Sequence, residues 1–304
     1  MQSVLNYIKH PEILCDSIVL HFGQWLPDSV YLKLRYRFQM KKRLNLKNPR
    51  TFSEKLQWLK LNDRNPEYTK MVDKILVKDY VKDVIGSEYV IPLLGVWDKP
   101  EDINWDSLPN RFVLKTNHSG GSTGVFICED KATLDIDDVV RKIRSSLRSD
   151  IYHNFREWPY KNINRKVFAE EYIDPDPVLE DLPDYKFFCF NGEPKFCQVI
   201  SGREKKMCID FFDHNWIHQP FHEPKLFPFA DVEPQKPIHY EKMWNAASQL
   251  AQGKPFCRID FYQSGDIVLF GEITFYPTSG MGGFDPPEYD YELGNMIDIN
   301  GMDI

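Results

Sequence analysis

The chain has no long apolar run. Near its N-terminus the longest such stretch, Ile18-Val19-Leu20-His21-Phe22, is far too short to span a bilayer. The N-terminus also lacks the basic region and apolar segment of a secretory leader, so a cytoplasmic protein is expected. Surplus positive charge is missing too: 38 Lys and Arg stand against 45 Asp and Glu, and the net charge of −7 argues against a dedicated nucleic-acid binder. No Cys-x-x-Cys pair occurs. The six cysteines are scattered, mostly within apolar runs such as Phe188-Cys189-Phe190, and read as reduced core residues. No Ser/His/Asp or Cys/His set suggests a covalent nucleophile. His214, His218 and His222 are evenly spaced and leave a zinc site open, although they sit in a proline-rich stretch.

What remains is an ordinary soluble composition, 42% hydrophobic and 27% charged over 304 residues, enough for one large or two ordinary domains. Residues 1–65 read as a helical N-terminal region. From Ser29 to Ser53 it carries Lys33, Arg35, Arg37, Lys41, Lys42, Arg43, Lys47 and Arg50 with no acidic residue. Such a block suits either a solvated helix face or contact with an anionic surface, a lipid headgroup layer or a phosphorylated lipid carrier. Thr51 or Ser53 can cap the helix bearing Leu56, Trp58 and Leu59. A further helix is expected from about Tyr68 to Val84, with Lys74 and Lys78 as surface charges.

Arg111–Lys115 is strand-like and enters Thr116-Asn117-His118-Ser119-Gly120-Gly121-Ser122-Thr123-Gly124, from which a second strand, Val125–Cys128, leaves. Backbone N–H groups in such a loop can close around phosphate oxygens, with a lysine at its root adding charge. No helix follows, so the P-loop and dinucleotide-binding readings fail. Residues 132–158 look helical. Lys166–Ile173 reads as a strand ended by Asp174-Pro175-Asp176-Pro177, a linker between lobes. Asn191-Gly192 between two alternating runs marks a hairpin. Met207–Phe212 reads as a further strand and residues 239–252 as a helix. Residues 213–237 read as a long irregular connection, and the last twenty residues as acidic and irregular.

Cys257–Tyr262 and Gly271–Phe275 alternate apolar and polar side chains around the polar connection Gln263-Ser264-Gly265-Asp266. Paired side by side, they place Arg258, Asp260, Glu272 and Thr274 on one face. Two carboxylates there need neutralising, and a divalent cation would do it.

In order, these features resemble the ATP-grasp superfamily and, within it, the TupA-like branch found with surface-polysaccharide gene products; the resemblance covers about residues 45–285. It implies an α+β fold in which two subdomains grip ATP, here residues 66–173 with the glycine-rich lid and residues 174–304 with the metal site. It implies that Lys74, Lys115 and the lid residues Ser119, Gly120, Gly121, Ser122 and Thr123 meet the phosphates. Glu170, Glu171, Tyr172 and Ile173 would line the adenine, and Asp184, or else Asp176, would take the ribose. Asp260, Glu272 and Thr274 would hold Mg²⁺, while Arg258 and Lys186 would serve catalysis. Two departures stand out: Thr274 replaces the usual asparagine, and Lys186 a frequent arginine. Arg203, Lys205 and Ser279 are candidate substrate contacts. The implied activity is amide formation between an amino acid or other amine and a saccharide carboxylate of a capsule or other surface polysaccharide. Alternatives are a saccharide kinase or a non-catalytic nucleotide-binding protein. The implied location is cytoplasmic, with the basic block adding an anionic membrane or lipid-linked sugar as a peripheral contact.

Overall fold

The structure is a computed structural model that describes residues 10–121, 124–176, 182–202, 207–223 and 227–300. Ser122, Thr123, Arg203 and Lys205, four of the candidate site residues, lie outside them.

Two antiparallel sheets organise the chain. The first has the order β1-β4-β2-β3, from β1 (Leu93–Trp97), β2 (Phe112–Thr116), β3 (Val125–Cys128) and β4 (Val167–Glu171). The second has the order β7-β6-β5-β8-β9, from β5 (Asp184–Phe190), β6 (Glu193–Ser201), β7 (Cys208–Phe212), β8 (Phe256–Ser264) and β9 (Ile267–Thr274). The Asn-Gly turn forms where expected: Asn191 and Gly192 both have positive φ, 50° and 86°, as a tight primed turn between twisted strands requires.

Helices fall on both sides of this frame. In the N-terminal region lie α1 (Pro11–Phe22), α2 (Asp28–Met40) and α3 (Phe52–Asn62). Thr51 caps α3 through a reciprocal box, its hydroxyl accepting from Glu54 N–H while the Glu54 carboxylate accepts from Thr51 N–H. Ser53, the other candidate cap, instead donates to Asp290 of α9 (Glu288–Met296). That terminal helix corrects the irregular C-terminus expected from sequence. The single helix expected over residues 68–84 is two, α4 (Glu67–Val72) and α5 (Val77–Ile85). Asp73 breaks it by accepting the N–H groups of Ile75 and Leu76, and Asn117 locks the break by donating to Asp73 at 2.7 Å. Residues 132–158 likewise hold α6 (Ile136–Leu147) and α7 (Ile151–Phe155).

One core packs α6 on the first sheet, with Phe112, Leu114, Val139, Ile143 and Val167 among its residues. A larger one unites α3, α4 and α5 with the second sheet: Leu56, Tyr68, Val72 and Val81 share it with Phe188, Ile259 and Ile273, and a small third cluster joins Leu32 and Tyr36 of α2 to Leu44 and Met281. The expected boundary at residue 66 therefore falls inside one core. On the far side of the second sheet, α8 (Tyr240–Ala251) lays Tyr240 and Trp244 against Phe187. On the near side Phe52 of α3 covers Phe188, Phe190 and Phe256. The apolar half of that face is thus buried by α3, and its polar half carries the site.

Candidate active site

The register of the second sheet assembles a charged row. Asp260 of β8 lies opposite Glu272 of β9 on one side and Lys186 of β5 on the other, and Lys186 lies opposite Gln198 of β6. One step along, Arg258 pairs with Thr274. The four residues expected to share a face do share it. Arg258 grips Asp260 with two parallel bonds of 2.7 Å, Nε to one oxygen and a terminal nitrogen to the other. Lys186 also bonds Asp260 and reaches Asp184 at 2.6 Å. Asp260 is 1% exposed, and two cations compensate what would otherwise be a prohibitive buried charge. Asp184 thus stands in the charged row, held by Lys186. The alternative ribose acid, Asp176, accepts the Gly265 N–H at the β8–β9 turn.

Glu272 is less enclosed. Arg258 donates to one of its oxygens at 3.1 Å and Lys74 meets the other at 2.9 Å. Burial works against its ionisation, but Lys74, Arg258 and Lys186 hold its carboxyl well below the usual range. Thr274 donates its hydroxyl to Glu272 at 3.1 Å and accepts from Arg258 at 3.2 Å. It orients the carboxylate, and two of its three hydrogen-bonding capacities are already engaged.

Lys74 ties the glycine loop to this row. Standing in the break between α4 and α5, it donates through Nζ to the Ser119 carbonyl at 2.7 Å while pairing with Glu272. The loop root is rigid: Thr116 N–H bonds Gly124 O, and Ser119 Oγ bonds Thr116 O. Gly124 has φ 75°, and a Cβ there would stand 2.1 Å from Ser146 Oγ, so the loop cannot close on another residue.

A second charged group lies on the first sheet. Glu170 is buried and pinned between Lys115 and Lys78, the latter at 3.1 Å with a further bond to Ile91 O at 2.7 Å. Burial opposes ionisation, yet the two lysines hold Glu170 below the ordinary carboxylate range. Lys78 is therefore not the surface charge expected from sequence. Glu171 points the other way, exposed, and its N–H is taken by Pro92 O. Tyr172 stacks under Arg111 at 4.0 Å, and with Ile173 it follows the end of β4.

Two further residues have hydrogen-bonded settings unforeseen from sequence. Ser279, held with positive φ (55°), receives Lys60 Nζ on both its hydroxyl (2.7 Å) and its carbonyl (2.8 Å). Glu223 is buried and accepts from Gln198 at 3.1 Å, at the end of the charged row. Burial raises its carboxyl above the ordinary range, and Arg258 and Lys186 are near enough to oppose that rise. An alternating strand could have flagged Gln198; Glu223 lies in the irregular connection and carried no signal. The three spaced histidines do not converge. His214, His218 and His222 each face a different carboxylate, Glu241, Asp210 and Asp285, and no three-ligand group of His, Cys, Asp or Glu exists among the described residues.

Asp260 and Glu272 offer hard oxygen donors only, two of them. Hard carboxylate oxygens are the donor type Mg²⁺ takes, but each of the four carboxylate oxygens already accepts from Arg258, Lys186, Lys74 or Thr274, so a cation held here would displace at least one of those partners.

Residues 54–298 match the family described as TupA-like ATPgrasp. The chain belongs to that family, and its two antiparallel sheets with flanking helices are an α+β ATP-grasp fold. No curated protein matches it. Among solved structures it is similar to the ATP complex of D-alanine–D-alanine ligase from Bacillus anthracis (17% identity, TM-score 0.41, covering 75% of this chain and 63% of that one). It is also similar to the ATP-grasp ligase PsnB with its minimal precursor, Mg and ADP (12%, 0.38, 87% and 66%). A third is a nucleotide complex of biotin carboxylase from Campylobacter jejuni (14%, 0.41, 76% and 48%). The chain spans less than two thirds of the length of each of these proteins.

Proposed function

We propose that this chain is an ATP-dependent carboxylate–amine ligase that joins an amino acid or other amine to a saccharide carboxylate of a surface polysaccharide or its precursor. The observation that carries the reading is the row Lys186–Asp260–Glu272 with Arg258 beside it, linked through Lys74 to the glycine loop. This arrangement suits phosphoryl transfer, which asks for positioning and charge cancellation rather than a side-chain nucleophile. The γ-phosphoryl group of ATP passes to a carboxylate oxygen, ADP leaves, and an acyl phosphate results. The amine then attacks the acyl carbon; phosphate leaves and the surplus proton is released. Mg²⁺, held by Asp260 and Glu272, would offset charge on the phosphates.

The residues of the chain have separable tasks. Arg258 and Lys186 supply fixed positive charge where phosphoryl and carboxylate oxygens meet, at no reorganisation cost because both are already held by Asp260. Lys74 contacts both the loop and Glu272, so phosphate binding and carboxylate orientation are coupled. The family's association with surface polysaccharide supports the acidic sugar as one partner. The test is ADP release with a panel of uronic acids and amino acids, with mass spectrometry of the product. ADP and phosphate formed only when both partners are present support the reading. AMP release, or a stable phosphorylated sugar without amine, refutes it.

A further inference from the structure

Helix α1 is anomalous in its setting. Its sequence, Pro11-Glu12-Ile13-Leu14-Cys15-Asp16-Ser17-Ile18-Val19-Leu20-His21-Phe22, is largely apolar, yet none of its residues is buried. An apolar helix on a water-soluble protein normally turns its apolar side chains into a core. Here Leu14, Ile18 and Phe22, four residues apart, stand on one face at 43%, 49% and 74% exposure, and Trp25 just beyond is 82% exposed. Cys15, Val19 and Leu20 on its other side are half-buried, and polar contacts tie the helix to α2. Asp16 pairs with Arg35 and accepts from Gln39, and Glu12 pairs with Lys41 at 3.0 Å. Those contacts neutralise the acids of α1 against α2 and leave the apolar row uncovered.

The chain that follows is basic on its surface. Lys33, Arg37, Lys41, Lys42, Arg43, Lys47 and Arg50 are exposed, while Arg35 is buried with Asp16. An exposed apolar and aromatic row followed in the chain by a run of exposed Lys and Arg is the chemistry of an interfacial surface helix: cations meet anionic headgroups and the apolar row enters the acyl boundary. Tryptophan suits that depth in particular. No helix of the described residues is long and apolar enough to cross a membrane, so the contact is peripheral.

We propose that the α1–α2 hairpin and the basic segment after it form a docking surface for an anionic lipid bilayer. A soluble phosphate or a lone lipid-carrier headgroup would satisfy the cations but leave Leu14, Ile18, Phe22 and Trp25 in water. A bilayer takes both. This surface is separate from the charged row and does not depend on the ligase reading.

The test is sedimentation of the full chain with phosphatidylcholine vesicles, with and without phosphatidylglycerol. Binding should require the anionic lipid and weaken as salt rises. The pair Phe22→Ser with Trp25→Ser, and separately Lys33→Glu with Arg37→Glu, should each lower the partition coefficient roughly tenfold or more. Unchanged far-UV circular dichroism would show that the variants fold, and soluble ATP turnover should be unaffected. Equal binding to neutral vesicles, or release by soluble glycerophosphoglycerol, overturns the proposal. So does concentration-dependent self-association in sedimentation velocity that the Phe22/Trp25 variant abolishes, because a second copy then covers the row.

Discussion

Replacing Asp260 by asparagine separates the structural role of the charged row from its chemical one. In the native chain the Asp260 carboxylate is almost fully buried and accepts two bonds from Arg258 and one from Lys186. Asparagine keeps the shape but turns an NH₂ group toward a cation and removes the charge that both cations share. Breaking a buried ion pair by removing one partner costs about 3–5 kcal/mol. Glu272→Gln is the control: the residue is about a quarter exposed against 1% for Asp260, so the cost should be at most about 2 kcal/mol. Both variants should lower ADP release by about 100-fold or more, the usual penalty for removing one preorganised charge. Only Asp260→Asn should also lower the denaturant midpoint substantially. Adding Arg258→Met to Asp260→Asn should cost less than the sum of the two single losses, since the guanidinium is removed together with its main partner while Glu272 gives up one donor. An Asp260→Asn protein as stable as the native chain would refute the reasoning, because the two cations would then not depend on that carboxylate.

Further outcomes follow from the contacts around the row. Lys74→Met cuts the link between Ser119 and Glu272, and kcat/KM for ATP should fall roughly 10- to 100-fold with little change in melting temperature; steady-state kinetics and calorimetry decide. His118, at the loop root, is buried, and burial with Arg165 nearby lowers its pKa from 6.5 to about 4. The folded state therefore resists the proton that the unfolded chain accepts. Stability should be lost as pH falls from about 6.5 to 4, by up to about 3 kcal/mol, and His118→Gln should flatten that part of the profile. Lys60, buried and bonded to Gln57, Phe155 and Ser279, should be costly to truncate: Lys60→Met leaves those acceptors unpaired and should destabilise by about 1–3 kcal/mol, read from denaturant midpoints, and disorder the Ser279 turn.

Much of the frame was legible because it obeys short-range rules. Alternation in β8 and β9 puts Arg258, Asp260, Glu272 and Thr274 on one face by spacing alone, and the cross-strand register bears this out. Asn191-Gly192 specified its hairpin through positive φ, and Thr51 with Glu54 specified a helix start. The failures are long-range. The break at Asp73 has a local part, its bonds to Ile75 and Leu76, but its lock is Asn117, forty-four residues away, which no local pattern announces. Lys78 reads as surface because its partner Glu170 comes from another element altogether. Helix α9 is held by Ser53 against Asp290, and Gly294 lets Arg50 and Phe52 approach its backbone; propensity alone did not reveal it.

The substitution of threonine for asparagine at position 274 looks different once its contacts are known. A metal-ligating asparagine offers a carbonyl oxygen; Thr274 offers a hydroxyl that already donates to Glu272 and accepts from Arg258. Its position between those two groups fixes the Glu272 carboxylate relative to the guanidinium, a task that a donor and acceptor on one atom can perform. Lys186 shows a parallel logic. An arginine there would compete with Arg258 for the two oxygens of Asp260, whereas a single ammonium bonds Asp260 and Asp184 together and leaves the bidentate grip to Arg258. The two departures are therefore compatible with each other and with one carboxylate row: Thr274 orients Glu272, and Lys186 bridges Asp260 and Asp184.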